Sequence, residues 1–194
     1  FAADGMAHAH MGHVTDGWND TPDGKGLLPT AIAEAMIAIQ HAGFAVKKPT
    51  DLVWMQTHAH HVLHAIDASL EANGPGLGYG VMKAAGGASK HINFAAESDG
   101  ASNNVKAHTV HVMASTDNTV VRAKQIVSLA KILIASSSTS EAHTLGHQIL
   151  TLCNELIKGT DADGDGSISW KQGEGGLNIA LTHMGFMAKG EELN

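Results

Sequence analysis

Apolar residues recur at helical spacing along most of this chain, and the strict apolar–polar alternation of half-buried strands is absent. Leu52, Met55, Ala59 and Val62, for example, fall on one face of a helix. The longest such pattern starts near Asn103 and continues until the serines at 136–138. The sequence therefore predicts an all-α fold, a helical bundle of four long helices with additional short ones.

Capping residues and glycines give approximate bounds for these helices. Thr30 is the predicted N-cap of the first one, and residues 1–29, which show no apolar period, are predicted to be an irregular arm rich in histidine and methionine. The domain that follows is predicted to cover residues 30–194. Its helices are expected over residues 30–43, 51–66, 77–96, 103–135, 140–157 and 177–187.

The composition excludes several classes of function. Cys153 is the only cysteine, so a disulfide, a cysteine-based zinc or iron–sulfur site and covalent haem attachment are not expected. The net charge is −7 and the chain has 12 lysines and arginines, without the basic stripe that nucleic-acid binding requires. No apolar run is long enough to predict a membrane span.

The first residues, Phe1-Ala-Ala-Asp-Gly5, resemble the start of a chain that follows a signal-peptide cleavage site. Calcium at millimolar concentration is found outside the cytoplasm, and a calcium-type loop occurs near the C-terminus. These two features predict a periplasmic or secreted protein.

That loop places oxygen ligands and a glycine at the spacing used for calcium. Aspartates stand at its first, third and fifth positions, Gly166 stands at the sixth, and Gln172 replaces the usual glutamate at the twelfth. Residues 161–174 resemble an EF-hand calcium loop, lengthened so that a carboxylate two residues later can complete it. The resemblance implies a structural calcium site with the ligands Asp161, Asp163, Asp165, Ser167, Ser169 and Glu174.

Histidine is the unusual residue of this composition, with 14 copies. On a helix, imidazoles three or four residues apart are close enough to share one ion, and bundles build metal sites from facing helices. The sequence predicts a transition-metal site inside the bundle that draws on six histidines of three helices: His58, His61, His64, His91, His108 and His111. His143 and His147 are expected to face solvent. The candidate accessory groups of the predicted site are Glu34 and His41 on the first helix and Asp67 beyond the second.

The N-terminal arm offers imidazole and thioether ligands together, which favours copper. A second, weaker copper site is predicted there from His8, His10, Met11 and His13. Copper is the expected transition metal of this protein, and zinc is the alternative.

Three functions fit these observations. The first is an exported protein that holds or delivers copper or zinc and has a structural calcium site. The second is a redox protein with a metal or a non-covalent haem, whose flat ring would lie in the small-residue gap at 84–88 with His91 and either His58 or His108 as axial ligands. The third is a metal-free helical interaction domain that responds to pH through its histidines. The chain has no recognisable catalytic motif, so catalysis is not predicted.

Overall fold

The computed structural model describes residues 3–193, and within them it contains seven α-helices and no strand. The predicted all-α bundle is confirmed. The helices are α1 (Ala3–Thr15), α2 (Leu27–Ala45), α3 (Leu52–Ile66), α4 (Val81–Glu97), α5 (Asn103–Ala135), α6 (Thr139–Lys158) and α7 (Leu177–Gly190).

Much of the segment predicted to be an irregular arm is helical. In α1, the buried side chains of Ala7, Met11 and Val14 follow one another at spacings of four and three residues. This narrow apolar stripe packs mainly against α4. The prediction was wrong here because histidines and glycines surround the stripe and hide its period. Residues 1 and 2 of the predicted arm lie outside the described residues.

Side-chain caps determine where three helices begin. Asp51, Ser102 and Ser138 each accept a hydrogen bond from the backbone N–H three residues later, at the starts of α3, α5 and α6. The expected cap Thr30 instead lies one turn inside α2, where its hydroxyl donates to the carbonyl oxygen of Gly26 at 2.8 Å. The helix starts earlier because Leu27 and Leu28 are fully buried.

The long helix α5 is the centre of the bundle, and α3, α4, α6 and α7 pack around it. Besides α5, helix α4 also contacts α1 and α2. Small residues let these helices approach closely: a Cβ added at Gly87 of α4 would lie 2.9 Å from Cδ2 of Leu27. Leu27 therefore fills the part of the small-residue gap in which a haem ring was considered.

Helix α2 is long and apolar enough to cross a membrane by length and composition, although no long uninterrupted apolar run predicted a membrane span here. Half of it is buried in the bundle, and it carries Glu34 and His41 on its buried side. A core helix of a folded bundle and a signal sequence near the N-terminus both meet the same criteria as a membrane span.

Candidate metal centres

Nine histidines lie in three triads, each with its ring nitrogens within 4.8 Å of one another. We name the triads after the helices that build them. They are the α1–α4 triad (His10, His13 and His91), the α2–α3 triad (His41, His58 and His61) and the α5–α7 triad (His108, His111 and His183).

All three triads are built in the same way. One helix contributes two histidines three residues apart, which places both on one face. A neighbouring helix contributes a single histidine. Every helix of the described chain except α6 takes part in one triad, so each triad joins a different pair of packed helices.

In each triad the Nδ1 atom of the single histidine lies close to the Nδ1 atoms of both histidines on the other helix. The Nδ1 atom of His91 is 3.1 Å from that of His10 and 3.2 Å from that of His13. The corresponding distances are 2.9 and 3.2 Å for His41 and 3.0 and 3.2 Å for His183.

Hydrogen bonding satisfies such a convergence poorly. A neutral imidazole has either one N–H or one lone pair at Nδ1, so three converging Nδ1 atoms cannot all be well paired with one another. Three lone pairs directed at one cation satisfy all of them. Imidazoles bound to one ion at 2.0–2.1 Å have nitrogens roughly 3.3–3.6 Å apart, so small side-chain shifts would accommodate the ion.

Seven of the nine triad histidines have a lowered pKa, which favours the neutral imidazole that binds metals. Burial, with smaller contributions from His61 and His58, lowers the pKa of His41 to about 4. Burial, followed by His111 and His108, lowers the pKa of His183 to about 4.

The same causes act elsewhere in the triads. Burial lowers the pKa of His91, and the neighbouring His13, His10 and Lys90 lower it further. Burial is also the main cause of the lowered pKa of His10, His58, His61 and His111. At neutral pH these side chains can offer lone pairs without first losing a proton.

One tryptophan packs against each triad. The ring centroid of Trp18 is 4.5 Å from that of His91, Trp54 is 4.4 Å from His58, and Trp170 is 4.3 Å from His111. These three are the only tryptophans of the sequence.

One phenylalanine also packs against each triad. Phe94 lies 5.3 Å from His10, Phe44 lies 5.4 Å from His41, and Phe186 lies 5.6 Å from His183, measured between ring centroids. Each phenylalanine follows the single histidine of its triad by three residues on the same helix. All three triads therefore combine three imidazoles, one indole and one phenyl ring.

Burial distinguishes the triads. His41 and His58 are buried, whereas His61 and all histidines of the other two triads are partly exposed. The α5–α7 triad has the most open surroundings, because Trp170 is 38% and Phe186 is 51% exposed. Each triad thus has at least one ligand that solvent can reach.

The structure distributes the six histidines of the predicted bundle site over the three triads instead of bringing them to one place. His58 and His61 belong to one triad, His108 and His111 to another, and His91 to the third. His64 joins none of them: it is buried and its Nδ1 lies 2.7 Å from the carbonyl oxygen of Glu71.

Of the second predicted copper site, His10 and His13 meet His91 of α4. His8 faces the other way and lies 3.1 Å from the carboxylate of Glu191 beyond α7. Met11 is buried in the core, because it belongs to the apolar stripe of α1. The arm histidines therefore take part in a site that also needs the bundle.

Sequence reasoning missed His183 and treated His41 only as an accessory group. A signal for both was present: the pattern His-x-x-Phe occurs three times, at His41, His91 and His183, and each occurrence supplies the single histidine of a triad. Glu34, also considered near this region, instead accepts hydrogen bonds from the backbone N–H groups of Leu77, Tyr79 and Gly80.

In the calcium-type loop, Asp161, Asp163 and Asp165 bring their carboxylates within 4.8 Å of one another. Gly166 has a φ of +88°, which allows the sharp turn expected at this position. Asp161 accepts hydrogen bonds from three backbone N–H groups of the loop, including that of Gly166 at 2.9 Å.

The remaining predicted calcium ligands are not part of this carboxylate group. Glu174 is buried, and its carboxylate accepts hydrogen bonds from the backbone N–H and the hydroxyl of Ser169 at 2.9 and 2.6 Å. The hydroxyl of Ser167 donates to Asp165. The ammonium group of Lys171 lies 2.7 Å from Asp163 and 3.3 Å from Asp165.

The loop is attached to the bundle through buried side chains of α5. Arg122 donates to the carbonyl oxygens of Gly173, Glu174 and Gly175. Asn118 donates to the carbonyl oxygen of Lys171 and accepts from a backbone N–H of the loop. The conformation of the loop is thereby coupled to the helix that also carries two histidines of a triad.

The cysteine is not a candidate ligand at any of these places. Cys153 is buried in the core on α6, and burial raises the pKa of its thiol. On the same helix His147 is exposed, as expected, and His143 is partly exposed, with its Nε2 3.2 Å from that of His147.

Comparison of the chain with protein-family models, with curated proteins and with solved structures finds no match in any of the three. The geometry of the triads and the loop is therefore the basis for the function proposed below.

Proposed function

We propose that this protein binds three transition-metal ions, one in each histidine triad, and that copper is the metal it holds. The observation that supports this proposal is the convergence of three Nδ1 atoms at each of three separate helix pairs. A single cluster can arise from packing alone. Three clusters with the same histidine spacing and the same aromatic neighbours indicate one repeated chemical purpose.

The ligand chemistry favours copper over the other candidates. Imidazole binds zinc, copper, nickel and iron, and among divalent ions of the first row copper binds nitrogen sites most strongly. None of the triads includes a carboxylate or a thiolate. Zinc is the second candidate, since it also accepts three histidines and can keep a fourth position for water.

A role in holding or delivering metal fits the partial exposure of the triads better than a sealed structural role. Each triad has a ligand near the surface, so an ion can enter or leave without unfolding of the bundle. Calcium in the loop at 161–174 is proposed as a structural ion, because buried side chains of α5 attach that loop to the bundle. Export from the cytoplasm stays a prediction, which fractionation of cells producing the full-length protein would test.

The experiment that tests this function counts metal ions in the protein and in variants that each remove the single histidine of one triad. Protein saturated with copper and then dialysed is expected to keep three equivalents. His91→Ala, His41→Ala and His183→Ala should each lose one equivalent and keep the other two.

The matched control is the double variant His143→Ala/His147→Ala, which removes two histidines from the exposed face of α6, away from the triads. It should keep all three equivalents. Fewer than one tightly held equivalent in the unmodified protein, or equal losses in the control and in the triad variants, would contradict the proposal.

Haem binding has less structural support than metal binding by the triads. The axial partners considered for His91 were His58 and His108, and these two residues belong to two other triads. A Soret band in the spectrum of the isolated protein would nevertheless support haem binding. In the pH-responsive alternative the histidines respond to protonation and bind no metal. Three tightly held equivalents of copper would argue against this alternative.

A further inference from the structure

We infer that the triads select Cu(I), and that the tryptophan beside each triad takes the place of a fourth ligand. This inference rests on the proposed function and names the oxidation state that its three sites hold. The observation that supports the inference is the set of aromatic rings beside each triad, which a site needing only three histidines would not require.

Imidazoles alone do not choose the oxidation state, because they bind both forms of copper and also zinc. The choice must come from what surrounds the three nitrogens. Cu(II) favours tetragonal nitrogen and oxygen ligation, and zinc completes a tetrahedron with a fourth donor. No carboxylate belongs to any triad, and an indole ring packs against at least one of the three imidazoles in each.

An ion with a single charge tolerates these surroundings better than one with two. The cost of removing an ion from water rises with the square of its charge, and it is largest in the α2–α3 triad, where His41 and His58 are buried. Cu(I) accepts three neutral nitrogen ligands, and the complex then carries only one positive charge next to aromatic rings. The negative face of an indole attracts a cation within about 6 Å, more strongly than a phenyl face does.

The repetition of this arrangement makes it unlike incidental core packing. Two of the tryptophans, Trp18 and Trp170, lie in connections outside the α-helices, and Trp54 lies in the first turn of α3. Three different backbone settings therefore bring an indole to each triad, at interplanar angles of 59°, 70° and 28° to the imidazole that it contacts. Trp54 is also held in place by a hydrogen bond from its indole N–H to the carbonyl oxygen of Phe44 at 2.7 Å.

The presence of one tryptophan per triad provides a separate reporter for each site. In the variant Trp18→Phe/Trp170→Phe only Trp54 remains, and its fluorescence reports on the α2–α3 triad alone. Titration with Cu(I) under anaerobic conditions is expected to quench this fluorescence, with an end point when that triad is filled. Zn(II) should cause little quenching.

The decisive measurement compares the affinity of one triad for the two ions with and without its indole. The background His91→Ala/His183→Ala leaves the α2–α3 triad as the only intact one. In this background, Trp54→Leu should weaken Cu(I) binding about tenfold, measured by competition with a chromogenic Cu(I) chelator. Zn(II) binding, measured by calorimetry, should change much less, because Zn(II) would keep a fourth donor such as water in the position that the indole takes beside Cu(I).

Each outcome has a definite meaning. Equal weakening for both ions would show that Trp54 only positions the histidines, and no change for either ion would show that the indole does not act on the metal; both results overturn the inference while the proposed function stands. Absence of binding by either ion in the unmodified protein would overturn the proposed function itself. X-ray absorption of the Cu(I)-loaded unmodified protein does not depend on the variants and should show three nitrogen ligands. Four or more nitrogen or oxygen ligands would overturn the inference about Cu(I).

Discussion

The histidine triads and the aspartate loop both bring like ligand groups together, but the chain assembles them in opposite ways. His10 and His91 are 81 residues apart and meet only because α1 packs on α4. Asp161, Asp163 and Asp165 lie within five consecutive residues and are exposed. The triads offer nitrogen beside aromatic rings, and the loop offers oxygen in water, so the two regions suit different ions and depend on folding to different degrees.

The largest expected difference is in the stability that each ion adds. An ion stabilises a protein to the extent that the unfolded chain cannot bind it. Unfolding separates the single histidine of a triad from the pair on the other helix, whereas the unfolded loop keeps all three aspartates close in sequence. With free metal at a thousand times its dissociation constant, a triad should add about 4 kcal/mol to the free energy of unfolding, or roughly 10 °C to the melting temperature.

Calcium at the same multiple of its own dissociation constant should add clearly less. Differential scanning calorimetry of the metal-free protein, with copper and calcium added separately, measures both effects. If calcium raised the melting temperature as much as copper, the contrast between a folding-dependent and a local site would be wrong.

The second difference concerns acid. The pKa of His41 and of His183 is lowered from 6.5 to about 4 in the folded protein, so the unfolded chain binds more protons between these pH values. The metal-free protein should therefore lose stability as the pH falls from about 6.5 towards 4, by about 1–3 kcal/mol for the buried His41. Urea denaturation at pH 7.5, 6 and 5 measures this loss.

The variant His41→Asn isolates the contribution of this histidine from that of the carboxylates that also titrate in acid. It should be less stable than the unmodified protein at pH 7.5 but should lose less stability on acidification. An unchanged pH slope would mean that the buried triad does not resist protonation.

The same contrast explains which features of the fold and of the sites could be predicted from the sequence. The loop was recognisable because its ligand spacing is local, and the helices were recognisable because the apolar period of α3, α5 and α6 is local too. The partners within each triad depend on which helices pack together, and nothing in the spacing of His108 and His111 points to His183. The His-x-x-Phe repeat carried that information in part, but it acquires meaning only once the aromatic rings are seen beside the triads.

A smaller effect is expected from removing the first aspartate of the loop. Asp161 accepts hydrogen bonds from three backbone N–H groups at 2.7–3.1 Å, and the loop is exposed to solvent. Asp161→Ala should abolish calcium binding and lower the free energy of unfolding by about 1 kcal/mol. Calorimetric calcium titration and urea denaturation measure the two effects, and the copper content should stay at that of the unmodified protein. A simultaneous loss of copper would show that the two regions are not independent.

The smallest effect concerns Lys171, whose ammonium group lies against Asp163 and Asp165, where a calcium ion would have to compete with it. This lysine lowers the pKa of the Asp163 carboxyl and contributes, after Ser167, to lowering that of Asp165. Exposed ion pairs contribute little to stability, so Lys171→Ala should leave the free energy of unfolding nearly unchanged. Calcium affinity, however, should rise about three- to tenfold, because the ion no longer displaces a cation that occupies two of its ligands.

Lys171→Arg is the matched control and should leave calcium affinity close to that of the unmodified protein. A fall in calcium affinity in Lys171→Ala would mean that the lysine organises the aspartates for the ion, and the loop would then resemble the triads in depending on side chains beyond its own ligands.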